Sequence, residues 1–441
     1  MKRFLVGSLW ALIRATGFGV LTSQAYAAGF QLWEQDGASV GNYHAGYAAE
    51  AANASTAFYN PAGLTRFKNQ QIVMAGAGVF TSFKYQGTVS VNQLDDSGPQ
   101  PVTAQGGSVG FIPALHFATP LNDKIGFGFS VDVPFGLKTD YGKSTILRYI
   151  STESSVMVVD ISPSIGFKLT DKASLGLGPD VQIMKGEFDQ IGTFADETMD
   201  SNGINQASDT GYGYHAGALY EFSPETRVGM SYHSQVVHHL TGRSSFTGPL
   251  AEALQTNIRS RQASVNITLP PYTALSAYHR LHNNFAIMGS VIYTQWNLVQ
   301  HLVLQNVAGI KLVNGDPTPS TSIVVDIPQH FRNTWNVSIG ADYFATDKII
   351  LRTGVGFDQT PARNAYRNVQ MPDNNRFVVA LGGHYQASQA IGLDLGWMHV
   401  FMDQAHVNPP PQVTGAEVGV TNGSVKGGAD VIAGQVTWDI V

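Results

Sequence analysis

The stretch that decides the fold is Lys124-Ile125-Gly126-Phe127-Gly128-Phe129-Ser130-Val131-Asp132-Val133. Every second residue is apolar and the residues between are small or polar, so an extended chain would carry two faces of opposite character. The apolar face consists of Ile125, Phe127, Phe129, Val131 and Val133. The stretch therefore predicts a strand with one face suited to lipid and the other to water.

The same alternation recurs along the chain, and charges such as Asp342, Arg352 and Asp358 keep to the polar parity. A charge on the lipid face near the bilayer midplane would cost about 2 to 4 kcal/mol, so this parity favours a membrane barrel. About fourteen segments show the pattern, an even number as a closed antiparallel barrel requires. They lie near 70–86, 108–120, 124–139, 152–170, 173–189, 211–223, 225–240, 261–281, 284–303, 327–345, 347–358, 375–387, 389–403 and 428–441. The sequence thus predicts an all-β, transmembrane antiparallel β-barrel.

Composition separates a membrane barrel from other proteins of this length. Only 13% of the 441 residues are charged, against about 25% in soluble domains. The mean hydropathy of -0.03 is nevertheless too polar for a bundle of membrane helices. The chain has no cysteine, which removes disulfides and thiolate metal sites. We predict no cofactor and no metal.

The N-terminus has the pattern of a secretory signal peptide over residues 1–27, with Ala25-Tyr26-Ala27 as the cleavage site. Its removal takes three of the 26 basic residues and leaves 23 against 32 acidic ones, a net charge of -9. This charge argues against nucleic acid as a partner. Residues 28–66 lack strand alternation and predict a small helical plug in the lumen, whereas residues 67–441 predict the barrel.

The connections between the predicted strands alternate in length. Short ones such as Thr170-Asp171-Lys172 and Ser223-Pro224-Glu225 alternate with long polar ones, which lie around 190–210, 241–260, 304–326, 359–374 and 404–427. Outer-membrane barrels have short periplasmic turns and longer external loops. The alternation therefore predicts that both chain ends are periplasmic.

Three motifs carry a resemblance to a known family: Gly29-Phe30-Gln31-Leu32, Gly46-Tyr47-Ala48 and Asn60-Pro61-Ala62. Residues 41–64 resemble the plug of the FadL-type outer-membrane transporters of long-chain fatty acids and other hydrophobic compounds. The resemblance implies a monomeric barrel in the outer membrane of a Gram-negative bacterium, assembled by the barrel-assembly machinery among outer-membrane lipid and lipopolysaccharide. It also implies diffusive transport of a hydrophobic small molecule, with lateral release into the membrane.

The plug and gate residues implied by the resemblance are Asn60, Pro61, Ala62 and Asp358. Asn-Pro-Ala should end a helix, because proline fixes φ and lacks an amide donor. Asp358 lies on the inner face of its predicted strand. It could tether the plug near Asn60, or it could be an ordinary lumen-facing acid.

A lateral opening is expected at Pro134, Phe135 and Gly136. Proline removes a ladder hydrogen bond, and in a closed barrel every strand is central. Family members have a kinked third strand that opens the wall sideways, and this region resembles it. The alternative is that the strand ends at Val133 and a loop begins.

The expected ligand-binding residues are Phe30, Leu32, Trp33 and Lys185. The first three could instead only anchor the N-terminus. The best-known family members carry an arginine at the end of the fifth strand, where this chain has Gln190. Long-chain fatty acids are the leading predicted ligand, but their carboxylate would need a cation at the position of Gln190. Aromatic hydrocarbons, of the kind carried by TodX-type relatives, are the alternative.

Two sequence patterns resemble a catalytic motif and a metal site. We interpret the first as a loop that enters a strand and the second as a polar strand end. Gly106-Gly107-Ser108-Val109-Gly110 matches the nucleophile elbow, but it leads into a predicted strand instead of the required helix. His233, His238 and His239 lack the carboxylate or cysteine framework of a metal site. We predict no catalytic residues and no enzyme. An outer-membrane esterase using Ser108, a general porin without a plug and a purely structural barrel are the alternatives.

Overall fold

The computed structural model describes residues 29–92, 98–282 and 284–440. The predicted signal peptide and its cleavage site lie outside the described residues. In chain order the strands are β1 Gln70–Val91, β2 Gln100–Gln105, β3 Val109–Asn122, β4 Ile125–Asp140, β5 Glu153–Lys168, β6 Ala173–Phe194, β7 Asp196–Ser223, β8 Thr226–His233, β9 Val236–Thr247, β10 Ile258–Leu269, β11 Tyr272–His282, β12 Phe285–Thr294, β13 His301–Val313, β14 Asp316–Pro328, β15 Thr334–Phe344, β16 Ile349–Asp358, β17 Arg376–Gln386, β18 Ile391–Met402, β19 Ala405–Val407, β20 Gln412–Thr414 and β21 Glu417–Ile440.

The helices among the described residues are few and short. The α-helices are α1 Gly37–Val40, α2 Thr56–Tyr59 and α3 Pro249–Ala253, and 3-10 helices span Pro61–Arg66, Ile146–Tyr149 and Trp296–Leu298. Within the described ranges, none of these helices has the length and apolar character needed to span a bilayer.

Fourteen of the described strands form a closed antiparallel barrel. Their order around the wall is β1, β3, β4, β5, β6, β7, β8, β11, β12, β15, β16, β17, β18 and β21. β21 then pairs with β1 from Gln70–Ile440 to Val91–Gly419. Closure gives the backbone groups of both terminal strands a partner, as a lipid environment demands. The predicted fold is confirmed.

Side chains alternate in exposure along the strands as the sequence pattern predicts. On β16, Leu351 is 51% exposed on the outer face, whereas the neighbouring Arg352 is 9% exposed on the inner face. The Arg352 Nη1 lies 2.5 Å from Asp394 Oδ1, and its Nε lies 3.7 Å from Asp342 Oδ2. Charges of neighbouring strands therefore meet and pair inside the barrel.

Several strands continue past the barrel wall into an outward extension built from β9, β10, β13 and β14. β8 is followed by β9 after Ser234-Gln235, β10 leads into β11 across Pro270-Pro271, and β9 pairs with both β7 and β10. Proline supplies no ladder donor, so the bend falls where pairing is interrupted. Four of the five connections predicted to be long polar loops contain strands, and the prediction of loops there is wrong for those segments.

The predicted short connections are turns at the opposite end of the barrel. Thr170-Asp171-Lys172 joins β5 to β6, and Ser223-Pro224-Glu225 joins β7 to β8. β1 begins and β21 ends at this same end of the barrel, since Gln70 pairs with Ile440.

Candidate functional site

The N-terminal segment, residues 29–66, packs inside the barrel. Its backbone donates to the wall, for example from Gly37 N to Gln435 Oε1 of β21 at 3.0 Å. Wall glycines allow the close approach: a Cβ on Gly354 of β16 would lie 2.1 Å from the Asn42 carbonyl oxygen. The segment is therefore held by contacts that depend on the shape of the inner wall.

Asn60 connects the N-terminal segment to β7. Its Nδ2 donates to the carbonyl oxygens of Ala48, at 2.5 Å, and of Ala218, at 3.0 Å. Its Oδ1 accepts from Ala62 N at 3.1 Å and so caps the 3-10 helix that begins at Pro61. A Cβ on Gly217 would lie 1.9 Å from the same Oδ1. The Asn-Pro-Ala motif thus fixes the last turn of the segment against the wall.

Asp358 lies elsewhere. Its Oδ2 is 3.8 Å from Arg376 Nη1, and Arg376 in turn forms an ion pair with Asp373. The N-terminal residue that packs on this part of β16 is Tyr43, since a Cβ on Gly356 would lie 2.1 Å from its Cε1. The expected proximity of Asp358 to Asn60 is therefore corrected: the two side chains belong to β16 and the β7 contact, five strands apart in the barrel order given above.

Glu34 is a buried carboxyl of the N-terminal segment. It is 3% exposed, and its Oε2 accepts from Trp33 N at 2.9 Å. Burial raises the pKa of Glu34 to about 7, while hydrogen bonds from the backbone and the charge of Arg376 act in the opposite direction. Burial also lowers the pKa of His44 to about 3. Docking of the segment therefore favours the uncharged forms of both groups.

The pairing between β3 and β4 stops part of the way along both strands. The last pair is Leu115–Val131, and the pairing of β4 with β5 shifts register between Asp132 and Phe135. Beyond this point β3 remains paired with β1 up to Val109. Among the described residues, the wall therefore has a gap between β3 and β4, and Pro134 lies at its start.

The N-terminal segment lines this gap with a short antiparallel contact to β4. Leu32 N donates to the Pro134 carbonyl at 2.8 Å, and Gly136 N donates to the Phe30 carbonyl at 2.7 Å. The structure thus brings the residues expected at the opening together with two of the residues expected to bind ligand.

Aromatic side chains gather beside the gap. The Phe30 ring centroid lies 4.9 Å from that of Trp296 and 5.9 Å from that of Phe135. These residues belong to the largest buried apolar cluster, whereas Leu32 and Trp33 belong to two separate clusters. All three expected N-terminal ligand residues are buried, but they do not form one pocket.

A pocket opens at the outer end of the barrel, in the extension. It encloses about 700 Å³ of empty space, its mouth included, and apolar side chains of several strands line it, among them Phe188, Phe246, Leu304 and Ile323. Gln190 also lines it. The sequence pattern did not predict this pocket. The signal for it lies in apolar residues such as Phe246, Leu304 and Ile323, within connections predicted to be polar loops.

Lys185 does not line this pocket. It lies on the exposed outer face of β6, on the same parity as the exposed Ile183, while the intervening Met184 is fully buried. Successive side chains of a strand point to opposite faces, so Lys185 points away from the lumen. Its expected role in ligand binding is corrected accordingly.

A polar belt follows the inner wall on the short-turn side of the gap. We define it as Asp132, Asp160, Asp180, His215 and His233, which lie on β4, β5, β6, β7 and β8. Asp132 faces Asp160 in the strand register, Asp180 Oδ1 lies 2.5 Å from His215 Nδ1, and the His215 and His233 rings stack with centroids 5.4 Å apart. All five are buried.

Several atoms of the polar belt have no hydrogen-bond partner among the described residues. They are both carboxylate oxygens of Asp132, Oδ1 of Asp160 and Nε2 of His215 and His233. A basic side chain, that of His116, lies near Asp132, with its Nε2 3.5 Å from Asp132 Oδ1. A buried polar group left unpaired costs about 1 to 3 kcal/mol. An apolar chain that replaced the N-terminal segment along this wall could not satisfy these atoms, so this part of the lumen is an unfavourable path for a hydrophobic ligand.

The remaining motifs are Ser108 and the histidines around His233. Ser108 leads into β3, as expected, and its Oγ has no hydrogen-bond partner among the described residues. In the same part of the chain, no group of three or more His, Cys, Asp or Glu side chains is arranged to hold a metal ion. His233 instead stacks on Tyr272, with centroids 4.5 Å apart.

Comparison with known proteins gives a consistent result. Residues 18–439 match the family described as outer membrane protein transport protein (OMPP1/FadL/TodX). The chain is 27% identical over 431 residues to outer membrane protein P1 of Haemophilus influenzae, covering 89% of this chain and 90% of that protein. It is 24% identical over 421 residues to a long-chain fatty acid transport protein of Salmonella typhi, covering 90% and 93%.

Two solved structures share the fold. A FadL homologue of Pseudomonas aeruginosa superposes with a TM-score of 0.80 at 22% identity, over 93% of this chain and all of that one. The toluene transporter TodX of P. putida superposes with a TM-score of 0.65 at 13% identity, over 92% and 98%.

Proposed function

Because the chain belongs to the outer membrane protein transport family (OMPP1/FadL/TodX), we propose that it admits long-chain hydrophobic compounds at its outer pocket and releases them sideways into the membrane. The protein is an outer-membrane β-barrel, and transport of hydrophobic compounds is the function that its family and relatives share. The choice of ligand and the route through the barrel are the proposal.

The gap between β3 and β4 carries the proposal. Beyond Leu115–Val131 the two strands no longer pair, and the N-terminal residues Phe30 to Leu32 contact β4 there. A closed barrel normally gains by pairing every strand along its length. An interruption edged by apolar aromatic side chains favours passage of an apolar molecule between lumen and lipid.

The distribution of polarity along the lumen supports lateral release. The apolar cluster with Phe30, Phe135 and Trp296 lies beside the gap. The polar belt begins at Asp132, on the short-turn side of the gap. A ligand moving from the outer pocket gains by keeping its apolar surface buried, at about 25 cal/mol per Å². The belt would leave unpaired polar atoms against it, so the gap is the favourable exit.

In this proposal the N-terminal segment is the plug, and Asn60, Pro61 and Ala62 hold it against β7. The barrel acts as a monomer, is inserted by the barrel-assembly machinery and carries its outer pocket among lipopolysaccharide. Small displacements of Phe30 to Leu32 would open the path. No energy coupling is invoked, so the ligand gradient drives transport.

The lining of the outer pocket suits a hydrophobic ligand, since Phe188, Phe246, Leu304 and Ile323 contribute apolar side chains to it. Long-chain fatty acids are the first candidate, because relatives carry that name. Monoaromatic hydrocarbons are the second, because solved neighbours transport toluene.

Deletion of Pro134 tests the route. Between Asp132–Asp160 and Phe135–Val158, β4 has one residue more than β5, so removing Pro134 restores equal spacing and supplies a ladder donor. We expect uptake of labelled oleate, oleyl alcohol and toluene by expressing cells to fall at least tenfold for whichever compound the wild type transports. Folding is followed by the heat-dependent shift of barrel mobility on gels.

The matched control is deletion of Arg261. β10 also has one residue more than its partner β9 between Ser260–Ser244 and Ala263–Gly242, but these strands belong to the extension and do not border the gap. This control should keep wild-type uptake. Undiminished uptake by a folded Pro134 deletion would refute lateral release, and entry of small sugars in place of all three compounds would indicate a porin.

A further inference from the structure

The polar end of the ligand can be inferred from the groups that line the outer pocket, on the premise that the pocket binds the transported molecule as proposed above. Its polar lining consists of amide and hydroxyl side chains, together with the single carboxyl of Glu417. Of the described residues that line it, none is a lysine or an arginine. The nearby Arg148 is already paired, with its Nε 2.9 Å from Asp200 Oδ2.

Three glutamines form a chain of amides along the pocket. Gln370 Nε2 donates to Gln412 Oε1 at 2.7 Å, and Gln412 Nε2 donates to Gln190 Oε1 at 3.2 Å. Thr414 Oγ1 also donates to Gln190 Oε1, at 3.4 Å. The acceptor side of Gln190 is therefore satisfied from within the protein.

One end of this chain is unsatisfied. Gln370 is 6% exposed, and its Oε1 has no hydrogen-bond partner among the described residues. A buried carbonyl oxygen of this kind calls for a donor. Among a hydroxyl, a carboxylate, an ester and a plain hydrocarbon end, only the hydroxyl supplies one.

Glu417 shows how the surroundings of the pocket affect a carboxyl group. It is the first residue of β21, in the outward extension, because β18 pairs with β21 only from Gly428 onward. It is 7% exposed and accepts a hydrogen bond from Thr193 N. Burial nevertheless raises the pKa of Glu417 to about 8. A ligand carboxylate in the same surroundings would meet the same lack of solvent and of cations.

We propose that the outer pocket selects long-chain compounds whose polar end is uncharged and carries a hydroxyl, in the manner of a long-chain primary alcohol, over ionised fatty acids and plain hydrocarbons. The hydroxyl donates to Gln370 Oε1, and the apolar chain lies against Phe188, Phe246 and Leu304. The missing cation and the unsatisfied acceptor exclude the two competing classes for separate reasons.

Binding of three matched eighteen-carbon compounds tests the proposal: oleyl alcohol, oleate and 1-octadecene. Calorimetric titration into the purified full-length protein, in one detergent at pH 7.5, should give at least tenfold tighter binding of the alcohol than of either competitor. Equal binding of oleate would overturn the selection against charge. Equal binding of 1-octadecene would overturn the proposed recognition of the hydroxyl group.

Two variants locate the selection. Gln190→Arg places a cation in the pocket and should raise oleate affinity to that of the alcohol or above. Thr321→Arg adds the same charge to an exposed position of β14 outside the lining and should leave the order unchanged. If the order of the three affinities is unchanged in Gln190→Arg, this pocket is not the site that recognises the polar end of the ligand.

The outcomes separate this inference from the proposed function. If oleate binds as well as the alcohol and deletion of Pro134 still abolishes uptake, only the choice of polar end is wrong. If no eighteen-carbon compound binds and none is taken up by cells, the proposed function itself fails.

Discussion

The protonation of Glu34 makes docking of the N-terminal segment depend on pH. Glu34 ionises near pH 4.5 when free and near pH 7 when docked, because burial raises its pKa. The contribution of Glu34 to the free energy of docking is fully present below pH 4.5. This contribution falls by about 3 kcal/mol as pH rises to about 7, at about 1.4 kcal/mol per pKa unit. We expect Glu34→Gln to remove this loss.

A spin label on Ala52→Cys measures how firmly the N-terminal segment is docked. The label attaches only there, since the chain has no other cysteine. The mobile fraction of the label should rise between pH 4.5 and 7 more steeply in the wild type than in Glu34→Gln. His44 acts in the opposite sense, as its lowered pKa makes docking weaken below pH 6.5, and the raised pKa of Glu50 acts in the same sense as Glu34. The difference between the two proteins isolates Glu34, and identical slopes would contradict the prediction.

Single residues show where prediction from sequence succeeds and fails. The inward or outward direction of a side chain follows from parity, and applying it to Ile183, Met184 and Lys185 would have placed Lys185 outside. Which strand faces which part of the plug does not follow from parity. Asn60 and Asp358 both point into the lumen, yet their partners lie on strands far apart, and that assignment depends on packing of the whole segment.

Among the strands, Arg352 joins the inner faces of β15, β16 and β18. It lies close to Asp342 and Asp394, and all three side chains are buried. Arg352→Leu would leave Asp342 without its cation. Asp394 would be left with His384 alone, whose Nδ1 lies 3.0 Å from Asp394 Oδ1. Removing one partner of a buried ion pair costs about 3 to 5 kcal/mol. We expect the urea midpoint of the detergent-solubilised barrel to fall clearly, as measured from gel mobility.

Leu351→Val, on the outer face of the same strand, is the control for this change. It preserves apolar character at a lipid-facing position and should shift the midpoint only slightly. Equal midpoints for Arg352→Leu and the wild type would show that the aspartates find other partners.

The barrel strands were predictable because lipid on one side and a polar lumen on the other impose a strict period of two. The predicted segment at 347–358, for example, became β16 Ile349–Asp358. The extension was not predictable in the same way. Outside the bilayer the strands β9, β10, β13 and β14 face solvent on one side and the pocket on the other, so their pattern is weaker and resembles that of polar loops.

At the scale of the whole molecule, the barrel should persist without its N-terminal segment. The wall closes through β1 and β21 alone, and its inner face carries polar groups that solvent can satisfy. We expect a chain lacking residues 28–66 to keep its heat-dependent gel shift and to give a steady, cation-preferring current in planar bilayers. The carboxylates of the inner wall favour cations.

The intact protein, tested in parallel, should give no steady current. Loss of the gel shift in the shortened chain would show that the segment is part of the barrel's core, and a wild-type level of current would show that it does not occlude the lumen.

The long β6–β7 hairpin sets the height of the outer pocket. Gln190 lies seventeen residues along β6 from Ala173, which corresponds to roughly 40 Å at ~3.3 Å per residue and a tilt of ~40°. The apolar band of such barrels is only about 25 Å tall. The pocket therefore lies beyond the apolar band and, in the lipopolysaccharide setting proposed above, would stand within the carbohydrate layer of the cell surface. Sugar chain length would then govern how often a ligand arrives, whereas the solubility of the ligand in lipid governs only how it departs.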